Sequence, residues 1–167
     1  MKNKMIAAAI LLAGFASTNA NAQATATAST TAVLVTPISI TKTTDMHFGT
    51  LAASSSSGTV TLDYANGVTP TGGVSVIDNA LARTAVFTVT GSGTESISVS
   101  VPAGAITLTS GANTMTVDGF TCEAGTSTNL VAGSKVLNVL GVLHVAANQL
   151  AGTYANAAGL SVTVNYN

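Results

Sequence analysis

Hydrophobic residues recur at every second position along much of this chain, and that period is the strongest constraint on its fold. Ile97, Val99 and Val101 alternate with serines. In residues 160–166, Leu, Val, Val and Tyr likewise occupy every second position. Successive side chains of a β-strand point to opposite faces, so the pattern is typical of strands with one buried and one solvated face. Helical periodicity is missing. The sequence therefore predicts an all-β protein.

Turn signals separate these runs. Glycine, preceded by Asn or Asp in Asn66-Gly67 and Asp118-Gly119, tolerates the positive φ of tight turns. Short strands between such turns favour a single antiparallel β-sandwich. The predicted strands cover residues 26–35, 38–42, 45–49, 58–63, 84–90, 95–101, 105–109, 114–118, 135–145 and 159–166.

Residues 1–22 have the order of a cleavable secretory signal peptide. Lys2 and Lys4 precede an uncharged apolar run, and Ala20-Asn21-Ala22 supplies a small-x-small cleavage site. The apolar run is too short for a transmembrane helix, which needs about 20 residues. We therefore expect export to the periplasm, the cell surface or the extracellular medium. The exported chain has an N-terminal segment at 23–36, a sandwich domain at 37–167 and no predicted transmembrane segment.

Charge is scarce in the sequence. Charged residues make up 7% of the chain, against about 25% in an average soluble domain. After signal cleavage the only basic residues are Lys42, Arg83 and Lys135, too few to neutralise the phosphates of a nucleic acid. A surface of Ser, Thr, Asn and Gly has few charges to oppose self-association. The composition favours an assembling or surface-layer protein over a cytosolic enzyme.

The chemically active residue types are sparse and scattered. His47 and His144 are the only histidines, and no nucleophile motif accompanies them. We predict that His47 hydrogen bonds Asp45, two residues earlier on the same strand face. Cys122 is the only cysteine, so it has no internal disulfide partner and gives no zinc-binding spacing. We expect it to be a small buried side chain, and we predict no catalytic, metal or cofactor site.

The segment 23–36 has a different character from the rest of the chain. It reads Ala-Thr-Ala-Thr-Ala-Ser-Thr-Thr-Ala-Val-Leu-Val after Gln23, with no turn signal inside. Two interpretations stand side by side: it is the first strand of its own sandwich, or it is a detachable extension that pairs with a neighbouring subunit.

Two short segments carry a resemblance to a known family. They are Asp45-Met46-His47-Phe48-Gly49-Thr50-Leu51, and Ala151-Gly152-Thr153-Tyr154 followed by the predicted strand at 160–167. On these segments the chain resembles the secreted bacterial family called domain of unknown function 4402. It is similar, more distantly, to spore coat U-like pilin subunits of the archaic chaperone–usher type. In those pilins a Phe-Gly turn, here Phe48-Gly49, ends an early strand, and a turn with the pattern of Gly152 and Tyr154 leads into the C-terminal strand.

The pilin resemblance implies an immunoglobulin-like sandwich that lacks its last strand. A periplasmic chaperone would lend a strand, and an outer-membrane usher would exchange it for the N-terminal extension of the next subunit, giving a self-assembled fibre. The residues implied to pair with the chaperone strand are Leu160, Val162, Val164 and Tyr166. The residues implied for the donor strand are Ala26, Ala28, Ala32, Val33, Leu34 and Val35.

The chain also departs from those pilins. They carry a disulfide near the early strand, which a chain with only Cys122 does not have, and the alanines of 23–36 bury little apolar area. The leading hypothesis is a non-catalytic structural subunit of a surface fibre or coat, assembled by edge-strand complementation. The alternative is a monomeric secreted or periplasmic binding module for a glycan or a surface partner, with 24–35 folded back onto its own sheet.

Overall fold

Antiparallel β-strands provide the regular secondary structure in the computed structural model, which describes residues 23–156 and 158–167. The predicted signal peptide at 1–22 lies outside the described residues. The strands within the described residues are β1 Ser39–Thr44, β2 Thr50–Ala53, β3 Gly58–Leu62, β4 Val68–Pro70, β5 Val74–Asp78, β6 Ala85–Thr90, β7 Ser96–Ser100, β8 Ile106–Ser110, β9 Asn113–Cys122, β10 Ser127–Asn129, β11 Ser134–Val145 and β12 Thr163–Tyr166. The predicted all-β fold is confirmed. Over the described part of the chain, no helix has the length and apolarity needed to cross a membrane.

The longest strand, β11, organises the large sheet. Its first half pairs with β6 and its second half with β3 on one side, while β9 pairs with its second half on the other side. The side chains of Leu137, Val139, Leu143 and Val145 are all buried, whereas the residues of the opposite face, at 138, 140, 142 and 144, are half-buried. The predicted period of two therefore places one face of β11 in the core.

Three sheets enclose a single hydrophobic core. The seven-stranded sheet has the order β1-β6-β11-β3-β4, with β9 and β8 added on the far side of β11, and the smaller sheets are β10-β7-β12 and β2-β5. Ile97 and Val99 of the β7 sheet join the same buried cluster as Val60 and Leu137 of the large sheet. Two sheets that share one core through alternate residues form a β-sandwich.

A bulge bends the large sheet next to Gly141. The β9–β11 pairing shifts register between Leu140 and Val142, and such a shift increases the local bend and twist of a strand. A Cβ atom at Gly141 would lie 3.0 Å from the Val117 side chain and 3.1 Å from that of Phe120. Glycine therefore lets β9 approach β11 closely at the bend.

The predicted strands agree with the observed ones where alternation is strong. Eight of the ten predictions overlap a strand of the same segment, although the last strand shortens from 159–166 to Thr163–Tyr166. The strand predicted at 45–49 reduces to a single bridge at His47. No strand forms at 26–35. The sequence interpretation missed four short strands, β2, β4, β5 and β10, whose side chains are mostly exposed or half-buried.

The Phe48-Gly49 turn has a structural role at the entrance to β2. Phe48 is buried in the core, and Gly49 adopts φ +82°. A Cβ atom at Gly49 would lie 2.5 Å from the Asp78 carbonyl oxygen, closer than van der Waals contact allows. The turn therefore needs glycine for two reasons, its left-handed backbone and its proximity to β5.

Substituting Gly49 tests this turn, and Gly111 offers a matched control. Gly111 also has a positive φ of +58°, but an added Cβ would meet open space. We expect Gly111→Ala to lower the free energy of unfolding by about 1–2 kcal/mol from backbone strain alone. Gly49→Ala should cost about 1–3 kcal/mol more because it adds a steric clash. Urea denaturation measures both, and equal losses would show that the contact with Asp78 has no energetic role.

Candidate functional site

The C-terminal strand β12 lies at the edge of its sheet. It pairs antiparallel with β7, from Thr163 opposite Ser100 to Tyr166 opposite Ile97. Among the described residues no other strand pairs with β12. A strand with one free side presents unpaired backbone donors and acceptors to whatever lies beside it.

The hydrogen bonds around β12 identify the backbone groups on its free side. Asn167 donates its N–H to the Ser96 carbonyl, 3.0 Å away. In an antiparallel pair the backbone N–H and C=O groups of alternate residues point to opposite sides of the strand. The backbone groups of Val164 and Tyr166 therefore point away from β7. Val99, which lies opposite Val164, donates its N–H to a carbonyl on the β10 side of β7, as this alternation requires.

Strand β1 has a free edge of the same kind. Gly91, which follows β6, donates its N–H to Gly133 on the β11 side, 2.9 Å away. Backbone groups of alternate residues point to opposite sides of a strand, so the N–H and C=O of Thr88 point toward its partner Thr41 in β1. Ile40, the neighbour of Thr41, therefore directs its backbone groups to the free side. Strands β1 and β12 lie close together without pairing.

The strip between β1 and residues 160–166, which we call the open seam, is apolar. Val164 is 8% exposed and belongs to the core, and half-buried apolar side chains at both borders of the open seam pack against the same core. These half-buried residues are Ile38, Ile40, Leu160, Val162 and Tyr166. Of the four residues predicted for the edge strand, Val164 and Tyr166 lie in β12, whereas Leu160 and Val162 precede it and have no strand pairing of their own.

The Tyr166 side chain forms hydrogen bonds at one end of the open seam. Its hydroxyl donates to the Thr36 carbonyl oxygen at 2.7 Å and accepts from the Ser92 N–H at 2.7 Å. A Cβ atom on Gly91 would clash with that hydroxyl, so glycine is needed for the approach. Tyr166 therefore ties the point where the N-terminal segment meets the sandwich to the end of β12.

The segment predicted as a donor strand is exposed. Residues 23–38 have no regular secondary structure. Leu34 is 100% exposed, Val33 85% and Val35 41%, and the predicted donor alanines are exposed as well; these are Ala26, Ala28 and Ala32. Consecutive large apolar side chains in water are a feature that often marks an interaction site.

The second predicted motif also has a structural role. The Tyr154 hydroxyl donates to the Leu150 carbonyl oxygen at 2.8 Å and accepts from the Gln149 side chain at 2.7 Å. Gly152 lies against the Ser110 side chain, where a Cβ atom would clash. The tyrosine contacts fix the segment itself, and the Gly152 contact places it against the end of β8.

The predicted contact between Asp45 and His47 is wrong. The Asp45 carboxylate pairs with Lys42, and His47 Nδ1 accepts the Gly49 N–H at 2.8 Å. His47 therefore fixes the Phe48-Gly49 turn, because its ring is close enough to bond the backbone two residues later.

The sequence interpretation missed a pairing between His144 and Asp118. His144 Nε2 lies 2.8 Å from Asp118 Oδ1, and both side chains are nearly half exposed on the outer face of the large sheet. The contact joins β11 to β9 and depends on the register around the bulge, which no local pattern reveals. No group of three metal-ligating side chains occurs in the described part of the chain.

Cys122 is half-buried rather than fully buried. It lies at the end of β9. Burial raises the pKa of its thiol, and the nearby Glu123 carboxylate acts in the same direction. The thiol is therefore protonated at neutral pH, a state in which it is a poor nucleophile.

The fold and the open seam together define an antiparallel β-sandwich with an unpaired C-terminal edge strand. The family model described as a domain of unknown function (DUF4402) matches residues 38–166, and the chain belongs to this family. No curated protein and no solved structure matches the chain significantly. The matched region begins just before β1 and includes the whole of β12.

Replacing Tyr166 with phenylalanine removes one hydroxyl and tests whether its hydrogen bonds stabilise this end of the open seam. Tyr166→Phe leaves the Ser92 N–H without its partner and releases Thr36, so we expect a loss of about 1–3 kcal/mol in the free energy of unfolding. Tyr154→Phe is the matched control, because its hydroxyl bonds only within residues 149–154. Thermal denaturation followed by circular dichroism measures both. A Tyr166→Phe protein as stable as the wild type would contradict this role.

Proposed function

We propose that this chain is an exported, non-catalytic structural subunit that assembles into a surface fibre or coat. Residues 23–35 of one copy add as a strand to the open seam of the next copy. Backbone hydrogen bonds supply much of the affinity in such strand addition, and side-chain pockets supply the register.

One observation supports the proposal: the same chain has a free, apolar sheet edge and an exposed segment that ends in apolar side chains. The acceptor half is the free edge at Val164 and Tyr166, and the donor half is the exposed segment with Leu34 at its apolar end. Neither the donor segment nor residues 158–167 contain a charged side chain. The one charged residue of β1, Lys42, is exposed and paired with Asp45, so little side-chain charge needs to be desolvated when the two halves meet.

The lengths of the two halves are compatible. Thirteen residues in extended conformation reach about 40 Å, and the seven residues at 160–166 span about 23 Å. Alternate side chains of a strand share a face, so one facing buries Leu34 and the other buries Val33 and Val35, each worth about 1.5–3 kcal/mol when fully covered. The alanines add less, so most of the side-chain contribution comes from the apolar end.

The proposal includes the partners that such assembly requires. A free apolar edge is prone to unspecific pairing, so a periplasmic chaperone would cover the open seam after export through the signal at 1–22. An outer-membrane usher would then exchange the chaperone strand for the donor segment of the next subunit. The assembled protein would reside at the cell surface.

A second candidate function is binding of a glycan by the monomer. A shallow concavity of about 370 Å³ lies beside His144 on the outer face of the large sheet. Hydroxyl groups line it, contributed by Ser57, Thr59, Thr114 and Thr116. On this reading a stable monomer binds sugars on a glycan array, and His144→Ala abolishes that binding. An array with no bound sugar removes this candidate.

Truncating the donor segment tests the proposed assembly. We expect the exported chain, starting at Gln23, to form concentration-dependent polymers in sedimentation-velocity experiments. A chain that starts at Thr36 should sediment as a monomer of reduced stability, because its edge has no donor strand.

A synthetic peptide of residues 23–35 provides the control. Added in excess, it should raise the melting temperature of the truncated chain, whereas a peptide with Leu34→Asp should have little effect because it places a charge in an apolar contact. A full chain that stays a stable monomer at all concentrations contradicts the proposal and favours the monomeric binding module.

A further inference from the structure

We infer that the donor segment enters the open seam in one fixed facing, with its even-numbered side chains against the core and its odd-numbered side chains toward solvent. The inference rests on the proposed assembly, and it identifies the chemistry of the occupant: a strand from a second copy with small apolar side chains on its inner face.

The donor segment has two chemically different faces. Alternate residues of a strand share a face, so its side chains divide by parity. The even-numbered face comprises Ala24, Ala26, Ala28, Thr30, Ala32 and Leu34. The odd-numbered face comprises Gln23, Thr25, Thr27, Ser29, Thr31, Val33 and Val35.

Polar groups decide between the two facings. With the odd face inward, the hydroxyls of Thr25, Thr27, Ser29 and Thr31 would be directed at apolar side chains, and a hydroxyl buried without a partner is unfavourable. With the even face inward, only the Thr30 hydroxyl meets that environment. Exposing Val33 and Val35 is the smaller loss, because isolated apolar residues are common on protein surfaces.

The open seam suits small inner side chains. Val164 already packs into the core and is only 8% exposed without any partner strand. Ile40 and Val162 are half-buried and pack against the same core. The core next to Val164 is therefore already filled, so alanine methyl groups can cover it without overpacking.

The outer surface next to the open seam matches the odd face. Thr41 of β1 lies opposite Thr88 of β6, and the Thr43 and Thr88 hydroxyls are 3.1 Å apart. A threonine-rich strand beside β1 extends this hydroxyl-bearing surface, and cross-strand threonine pairs are favourable. Because a shift by one residue reverses every side chain, the facing is an all-or-none property of the contact.

Two adjacent substitutions in the full exported chain test the facing. Ala28→Arg places a charge on the inner face, and Thr27→Arg places the same charge on the outer face. Both positions lie outside the strands, so neither variant is expected to unfold the sandwich, which circular dichroism checks. Sedimentation equilibrium then compares the two association constants with that of the wild type.

We expect Ala28→Arg to weaken association by at least about 100-fold, because it buries an unpaired charge. Thr27→Arg should stay within about three-fold of the wild type. If Thr27→Arg is the damaging variant, or if both variants behave alike while the wild type still polymerises, the facing is wrong and the proposed assembly stands. If the wild type itself is monomeric, the proposed assembly fails and the facing fails with it.

Discussion

The structure depends on backbone hydrogen bonding between strands, and among the described residues β12 has a strand partner on one side only. The chain has a single cysteine, which excludes an internal disulfide, and the described residues contain isolated charged contacts rather than an ion-pair network. Its stability comes from one apolar core and from the strand ladders around it. The Val164 and Tyr166 backbone groups on the free side of β12 are an exception to that pairing. A polar backbone group beside apolar side chains is stable only when a partner or water satisfies it.

Tyr166 connects that edge to the rest of the molecule. Its ring packs against the core, while its hydroxyl bonds both Thr36 and the turn at Ser92. The aromatic residue at the end of the alternating C-terminal run thus has two roles, one in packing and one in positioning. Gly91 makes both compatible, because only a residue without a side chain leaves room for the hydroxyl.

The sequence pattern predicted the strands in which apolar and polar residues alternate. The strands that supply the core, such as β6, β7 and β11, agree with the prediction because buried residues there recur strictly at every second position. The short strands β2, β4, β5 and β10 have few buried residues, so their sequences carry little of that signal. The family resemblance is confirmed over residues 38–166, while the relation to pilins stays a prediction. The four apolar residues at 160–166 were predicted, but the free edge itself was accessible only through the resemblance, because strand pairing is decided by distant segments.

Amide hydrogen exchange followed by NMR tests the free edge most directly. In the chain that starts at Thr36, the Thr163 and Asn165 amides face β7 and should exchange slowly, whereas the Val164 and Tyr166 amides should exchange rapidly. Binding of the 23–35 peptide should slow exchange at Val164 and Tyr166 and leave the other two nearly unchanged. Slow exchange at Val164 and Tyr166 before any peptide is added would contradict the account, because it would mean that the edge is already covered by its own chain.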